Sequence, residues 1–235
     1  MNKENHLLTE VMCAFWFDQN QNSWDSTYFG KFFELIESEG YNEKEEQKNF
    51  QIQFELKSND LQNPGAKSDE LPPKMVFRNK EKNYAIILTA NFISFHKLAP
   101  YESWEKMLEE QIIPGLEKYF QMRLGKGLLQ VQMLYLNNYA FPTDTNFSDH
   151  FHFLPLMDKL EIGTEKSINF ISQYELEPNL LSQIRLHTLP DNNQNKGVFL
   201  ECSCLSFNKS QSEDWKTLAQ QAHDTNNKIF NIITK

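Results

Sequence analysis

The sequence predicts an α+β protein of two similar halves, each an antiparallel sheet closed by a long helix. Three observations predict it. Residues 84–88 and 92–97 are short runs rich in β-formers, and the second alternates with a period of two. After Pro100, Trp104, Met107, Leu108, Ile112, Leu116 and Tyr119 recur at three- and four-residue steps, which is one face of a helix. The C-terminus repeats the plan: Val198-Phe199-Leu200 and residues 204–209 precede a helix with Trp215, Leu218, Ala219, Ala222, Ile229 and Ile233 on one side. Ser94-Phe95-x-Lys97 matches Ser206-Phe207-x-Lys209, and Trp104 matches Trp215 with one residue deleted between. Internal duplication and convergence on one packing solution both account for the echo. The halves divide as 1–124 and 125–235, sharing one core or a tight interface.

Taken in order, residues 11–17 (VMCAFWF) read as a largely buried first strand. Asp25 or Ser26 caps a helix whose apolar face is Phe29, Phe32, Phe33 and Ile36, and Gly40 ends it. Residues 43–48 read as a charged, solvated link. Residues 50–56 (FQIQFEL) alternate strictly, as a half-buried strand does. Residues 58–73 are polar and turn-rich and read as a long loop. Met75-Val76-Phe77 opens the next strand, which leads to a hairpin turning at residues 89–91. Pro114-Gly115 interrupts the following helix, because proline there removes a hydrogen bond and clashes with the preceding turn. A kink or two helices end to end is expected. Residues 128–136 form a strand ended by Asn137-Asn138 and Pro142, residues 168–176 and 184–189 form two more, and DNNQNKG turns into the last. This half lacks a clear counterpart of the first helix.

Of the 235 residues 40% are apolar and 19 are Phe, enough for a sizeable core. No apolar run approaches the ~20 residues that cross a bilayer. The N-terminus MNKENHLLTE carries no apolar signal segment, so a cytoplasmic location is expected. The three cysteines, Cys13, Cys202 and Cys204, are expected as reduced thiols, the last two sharing a strand face as small buried residues. A net charge of −9 weighs against a broad phosphate-binding surface and suits a basic protein partner. Nucleic-acid binding would need Lys31, Lys44, Lys48 and Lys57 to cluster.

Asp149-His150-x-His152 is the sharpest chemical cluster. On a strand its imidazoles share a face, but zinc needs three or four ligands, and His96, His187 or an acid would have to come from afar. A hydrogen-bonded or solvent-facing loop is the plainer reading. His223-Asp224 on the last helix point about 100° apart and form no dyad by themselves. Gly125-Lys126-Gly127 is a connector. No serine-nucleophile motif, phosphate loop, dinucleotide fingerprint or HExxH pattern occurs. No catalytic, cofactor or metal residue is therefore assigned. The four tryptophans, Trp16, Trp24, Trp104 and Trp215, read as core anchors.

The element order resembles units of the TATA-binding-protein fold and of helix-grip folds, an analogy of fold alone. A set of further stretches carries a family resemblance: Glu10-Val11-x-Cys13-x-Phe15-x-Phe17, Trp24-Asp25-x-x-x-Phe29-Gly30-x-Phe32, Phe95-x-x-Leu98-x-Pro100-Tyr101-x-x-Trp104-Glu105, Tyr135-x-Asn137 and Ala222-His223-Asp224. In this order they resemble a sporadically distributed family of bacterial and archaeal conserved hypothetical proteins. Leu134 stands where that family leads one to expect Arg. The resemblance implies no reaction. Its patchy distribution implies an accessory or regulatory role, as in defence islands or toxin–antitoxin loci. The expected function is a non-enzymatic binding or regulatory module recognising a protein partner encoded nearby. The alternative is a small-ligand-binding or hydrolytic domain using a cleft between sheet and long helix.

Overall fold

The computed structural model describes residues 6–18, 24–47, 50–55, 65–70, 73–122, 124, 126–142, 150–151, 169–189, 195–208 and 214–233. Strand β1 (His6–Phe17) leads to helix α1 (Thr27–Ile36) and a 3-10 turn (Glu37–Glu39). Strands β2 (Glu43–Gln47), β3 (Phe50–Glu55), β4 (Gly65–Glu70), β5 (Lys74–Asn79), β6 (Tyr84–Leu88) and β7 (Phe92–Leu98) follow. Next come α2 (Trp104–Met107), a π-helical turn (Leu108–Ile112) and α3 (Ile113–Gln121), end to end. Then β8 (Leu128–Pro142), β9 (Asn169–Glu177), β10 (Leu180–Thr188), β11 (Asn195–Phe207) and α4 (Trp215–Ile233) complete the order.

Nine strands make one sheet in the order β2-β5-β6-β7-β1-β8-β11-β10-β9, while β3 and β4 pair separately. Every pairing is antiparallel. The protein is thus α+β, with a large antiparallel sheet and a few helices. Period-two alternation assigns the faces. Val11, Cys13, Phe15 and Phe17 of β1 and Val131, Met133 and Tyr135 of β8 point to one side. There they meet Phe32 and Ile36 of α1, Trp104 and Met107 of α2, Leu116 and Tyr119 of α3, and Leu218, Ala219 and Ala222 of α4. Each large apolar side chain so buried contributes about 1.5–3 kcal/mol. A second cluster under the end of α4 joins Tyr139, Phe141, Phe151, Leu186, Leu200 and Ile233.

Local signals explain the helix starts. Asp25 accepts from the Thr27 N–H at 2.7 Å, so it does the capping that Ser26, without a side-chain hydrogen bond, does not. Gly40 closes the first helical segment at φ 92°, a conformation that suits glycine. Ser103 caps α2 through the Lys106 N–H, and Asp214 caps α4 through the Lys216 N–H. The break expected at Pro114 is a π turn, which widens the rod just before the proline so that its missing N–H costs no ladder bond. Directly after it, Gly115 lies against β7: a Cβ there would stand 2.3 Å from Phe95 Cε1.

Several expectations change. Residues 43–47 are not a link but edge strand β2, held to β5 from Glu43↔Arg78 to Gln47↔Lys74. Residues 65–70 of the expected loop are strand β4, paired with β3. Strand β8 does not stop at Asn137-Asn138. Ladders to β1 and β11 flank it there and override the low strand propensity of Asn. The two runs expected at residues 198–200 and 204–209 are one strand, β11, since no turn residue separates them and its ladder with β8 is unbroken. Finally, the Ser-Phe echo is out of phase. Phe95 points into the core and Ser94 away, whereas Ser206 points to α4, donating to Gln221 Oε1 at 2.6 Å, and the half-buried Phe207 points away. A one-residue offset on strands exchanges the faces.

Candidate functional site

Three of the stretches quoted for the family resemblance meet where α4 crosses the start of α2 above β8. The Trp104 and His223 rings stack 4.8 Å apart and nearly parallel. The Tyr135 hydroxyl and His223 Nδ1 are 2.9 Å apart, and the Tyr101 ring lies 6.4 Å from that of Tyr135. Trp104 Nε1 donates to Gln220 Oε1, and Gln220 Nε2 in turn donates to Asp224, both at 2.9 Å. Burial holds His223 below the ordinary imidazole range, with Asp224 and Glu105 pulling the other way. Burial likewise pushes the Tyr135 and Tyr101 hydroxyls up. All four rings are neutral near pH 7. The cluster fastens α4 to α2 and the sheet.

On the sheet face turned away from the helices, Ser94 Oγ lies 2.7 Å from His96 Nε2, and His96 Nδ1 meets the Glu10 carboxylate. This is the bonding order of an acid, base and hydroxyl relay. Its setting argues against catalysis. Ser94 is fully buried on an interior strand, registered with both Ala14 of β1 and Ile87 of β6. The main-chain N–H groups around it belong to those ladders, so no pair of donors remains for an oxyanion. The relay is a satisfied polar chain tying β7 to β1. Ser94 and His96 sharing a face was legible in the sequence, and the Glu10 partner was not.

The third locality is a cleft of about 410 Å³ where β7 hands over to α2. Tyr84, Lys97, Pro100, Glu102, Lys106 and Glu110 line it. Lys106 pairs with Glu102 at 2.5 Å and with Glu110 at 3.9 Å, and Lys82 reaches Glu110 at 3.6 Å. Lys97 is different. It is 7% exposed and points to the core side of β7. Its Nζ donates to the Lys82 carbonyl at 2.5 Å and lies 4.7 Å from the centroid of the Tyr84 ring. Desolvation lowers its pKa, helped by Lys106 and opposed by Glu102 and Glu110. Burial, with Glu110 beside it, pushes the Tyr84 hydroxyl up to about 12. The alternation of residues 92–97 puts Lys97 on the face of Ile93 and Phe95, and the echo pairs it with Lys209, but neither gives it a role. The signal was a lysine on the apolar face of an alternating strand.

No protein-family model, curated protein or solved structure matches this chain. The locality of each remaining candidate is therefore read from geometry alone. Asp149 and His152 lie outside the described residues, and His150 is partly buried against the Phe141 ring at 4.5 Å. His187 lies against Phe199, 4.8 Å between centroids. Among the described residues no three His, Cys, Asp or Glu side chains converge to hold a metal ion. Cys13, Cys202 and Cys204 are buried free thiols, Cys204 pushed up to about 12 by burial. Trp104 is a core residue, while Trp16, Trp24 and Trp215 are only partly buried. Lys31 and Lys44 sit over the Tyr28 and Phe33 rings, and Lys48 and Lys57 lie outside the described residues. Among the described residues no helix is long and apolar enough to cross a membrane.

The two edges of the nine-stranded sheet differ in kind. Strand β2 reads EKEEQ, and Glu45 and Glu43 pair with Arg78 and Lys80. Strand β9, outermost at the other end, reads NFISQYELE and leaves Ile171 55%, Tyr174 42% and Leu176 45% exposed.

Proposed function

We propose that the protein is a non-enzymatic binding module that recognises another protein by pairing an extended segment of it with β9. The observation behind this reading is the nine-residue outer strand that holds the apolar Ile171, Tyr174 and Leu176 in solvent. Soluble proteins blunt such edges with charge, as β2 does here, because an open edge recruits further strands. A long edge with large apolar side chains in solvent suits β-addition, in which main-chain hydrogen bonds supply affinity and alternate side chains supply selectivity. Glu175 and Glu177 are the only charged residues of β9, and the whole chain carries −9, so the incoming strand is apolar with basic residues. A second acidic copy fits less well. The family resemblance, with its accessory role among neighbouring gene products, agrees with this partner class. So does a finer view of the fold as two similar halves in the manner of TATA-binding-protein or helix-grip folds. Its support is the strand order, in which β7 flanks β1 as β11 flanks β8 about the central pair.

The test is a pull-down of the tagged protein from its native host, repeated with Ile171→Glu/Leu176→Glu. A stoichiometric protein captured by the wild type and lost, at least tenfold, by the double variant is expected. The same protein retained by the variant moves the interface elsewhere. A catalytic turnover abolished by one point substitution would sink the binding-module reading. The second reading, a small-ligand domain, is favoured by the cleft between β7 and α2, where a buried lysine faces polar groups on a helix.

A further inference from the structure

We propose that Lys97 is a nucleophilic amine that takes a small polar aldehyde or ketone in the cleft beside α2. This rests on the small-ligand reading of that cleft and names its chemistry. Four features point to it. The cleft, about 410 Å³, is of metabolite size. Lys97 enters it from the apolar side of β7, with the Tyr84 ring against its Nζ. Among the described residues no carboxylate is ion-paired with that nitrogen, although Glu102 and Glu110 are near enough to act on it. Those two carboxylates hold Lys106 and Lys82 instead. Of the cations lining the cleft, Lys97 is therefore the one with no ion-paired carboxylate among the described residues. A lysine short of a partner and of water loses its proton more readily, and the free amine is the form that attacks carbonyl carbon.

The groups around Lys97 divide the work. The Lys82 carbonyl fixes the nitrogen by accepting one N–H at 2.5 Å, which both charged and neutral amine can donate. The lone pair of the neutral amine forms the C–N bond to the carbonyl carbon. The C–O bond then breaks, and the oxygen leaves as water with the two protons from nitrogen. The imine is neutral or protonated, and hydrolysis reverses the step without any oxidant or reductant. Glu102 and Glu110 can carry those protons, and Lys106 supplies positive charge to a polar substituent on the ligand. Glu81 and Lys82 complete the charged groups at the mouth.

The probe is pyridoxal, a small polar aldehyde, added at limiting concentration to the full chain at pH 7.5 and fixed with cyanoborohydride. Peptide mass spectrometry then places the adduct. Modification of Lys97 at least tenfold above the exposed Lys31, Lys126 and Lys228 is expected, with loss of that adduct in Lys97→Arg. Adducts spread over the exposed lysines with Lys97 at or below their level would overturn the proposal. Lys97→Met is expected to keep the wild-type melting curve while losing the adduct, which guards against misreading an unfolded variant. Pyridoxine, which has an alcohol in place of the aldehyde, separates the two ideas. Saturation transfer from the cleft to pyridoxine without any Lys97 adduct keeps the cleft as a ligand site and overturns the amine. Neither transfer nor adduct overturns both.

Discussion

At the scale of single residues, His223 shows how burial sets charge. Its ring stacks on Trp104 and meets Tyr135, and desolvation lowers its pKa below the unfolded value of about 6.5. Protonation therefore favours the unfolded chain. The stability this group contributes is complete above about pH 6.5 and is lost as pH falls from there through the folded value. The melting temperature should drop more steeply between pH 7.5 and 5 in the wild type than in His223→Gln. Parallel slopes would mean that His223 is solvated in both states. The sequence places His223 on a helix but does not supply Trp104 or Tyr135 as its neighbours. Those contacts join segments far apart in the chain, and nothing in local periodicity encodes which turn of one helix lands on which turn of another.

At the scale of elements, the rod from α2 to α3 has to carry a proline and also approach the sheet closely. The π turn settles the first demand and Gly115 the second. In Gly115→Ala the new methyl would press on the buried Phe95 ring. Overpacking of that kind costs about 1–3 kcal/mol. Against it stands the roughly 1 kcal/mol by which Ala is the better helix former. A lower melting temperature is expected, recovered when Phe95→Leu opens the space. A higher one would mean that helix propensity governs the site. The interruption at Pro114-Gly115 and the hairpin turn at residues 89–91 were legible because proline, glycine and alternation leave strong local marks. Strand β2 was not, since EKEEQ has no apolar period, and only its ladder to β5 makes it a strand. The opposite error arose at Asn137-Asn138, where tertiary pairing overrules a residue type that usually ends strands.

At the scale of the whole molecule, β1 and β8 lie side by side in the middle of the sheet, registered from His6↔Tyr139 to Phe17↔Leu128. One hydrophobic cluster runs from Phe29 of α1 through β1 and β8 to Ala222 of α4. Residues 1–124 and 125–235 made separately should each be insoluble or lack a cooperative melt, while the full chain unfolds in one transition. A sharp independent melt from either piece would show two cores rather than one. Composition and alternation made the α+β class legible. The single nine-stranded sheet was not, because strand order depends on contacts over a hundred residues long. That separation also has a meaning in time. Translation adds about 5–20 residues per second, so β8 leaves the ribosome roughly 6–25 seconds after β1. For about the first two thirds of that interval the row Val11, Cys13, Phe15 and Phe17 has neither neighbour, and once β7 emerges it can lean on β7 but still has an open flank. The newborn chain, more than the finished one, is the form that needs a chaperone's attention.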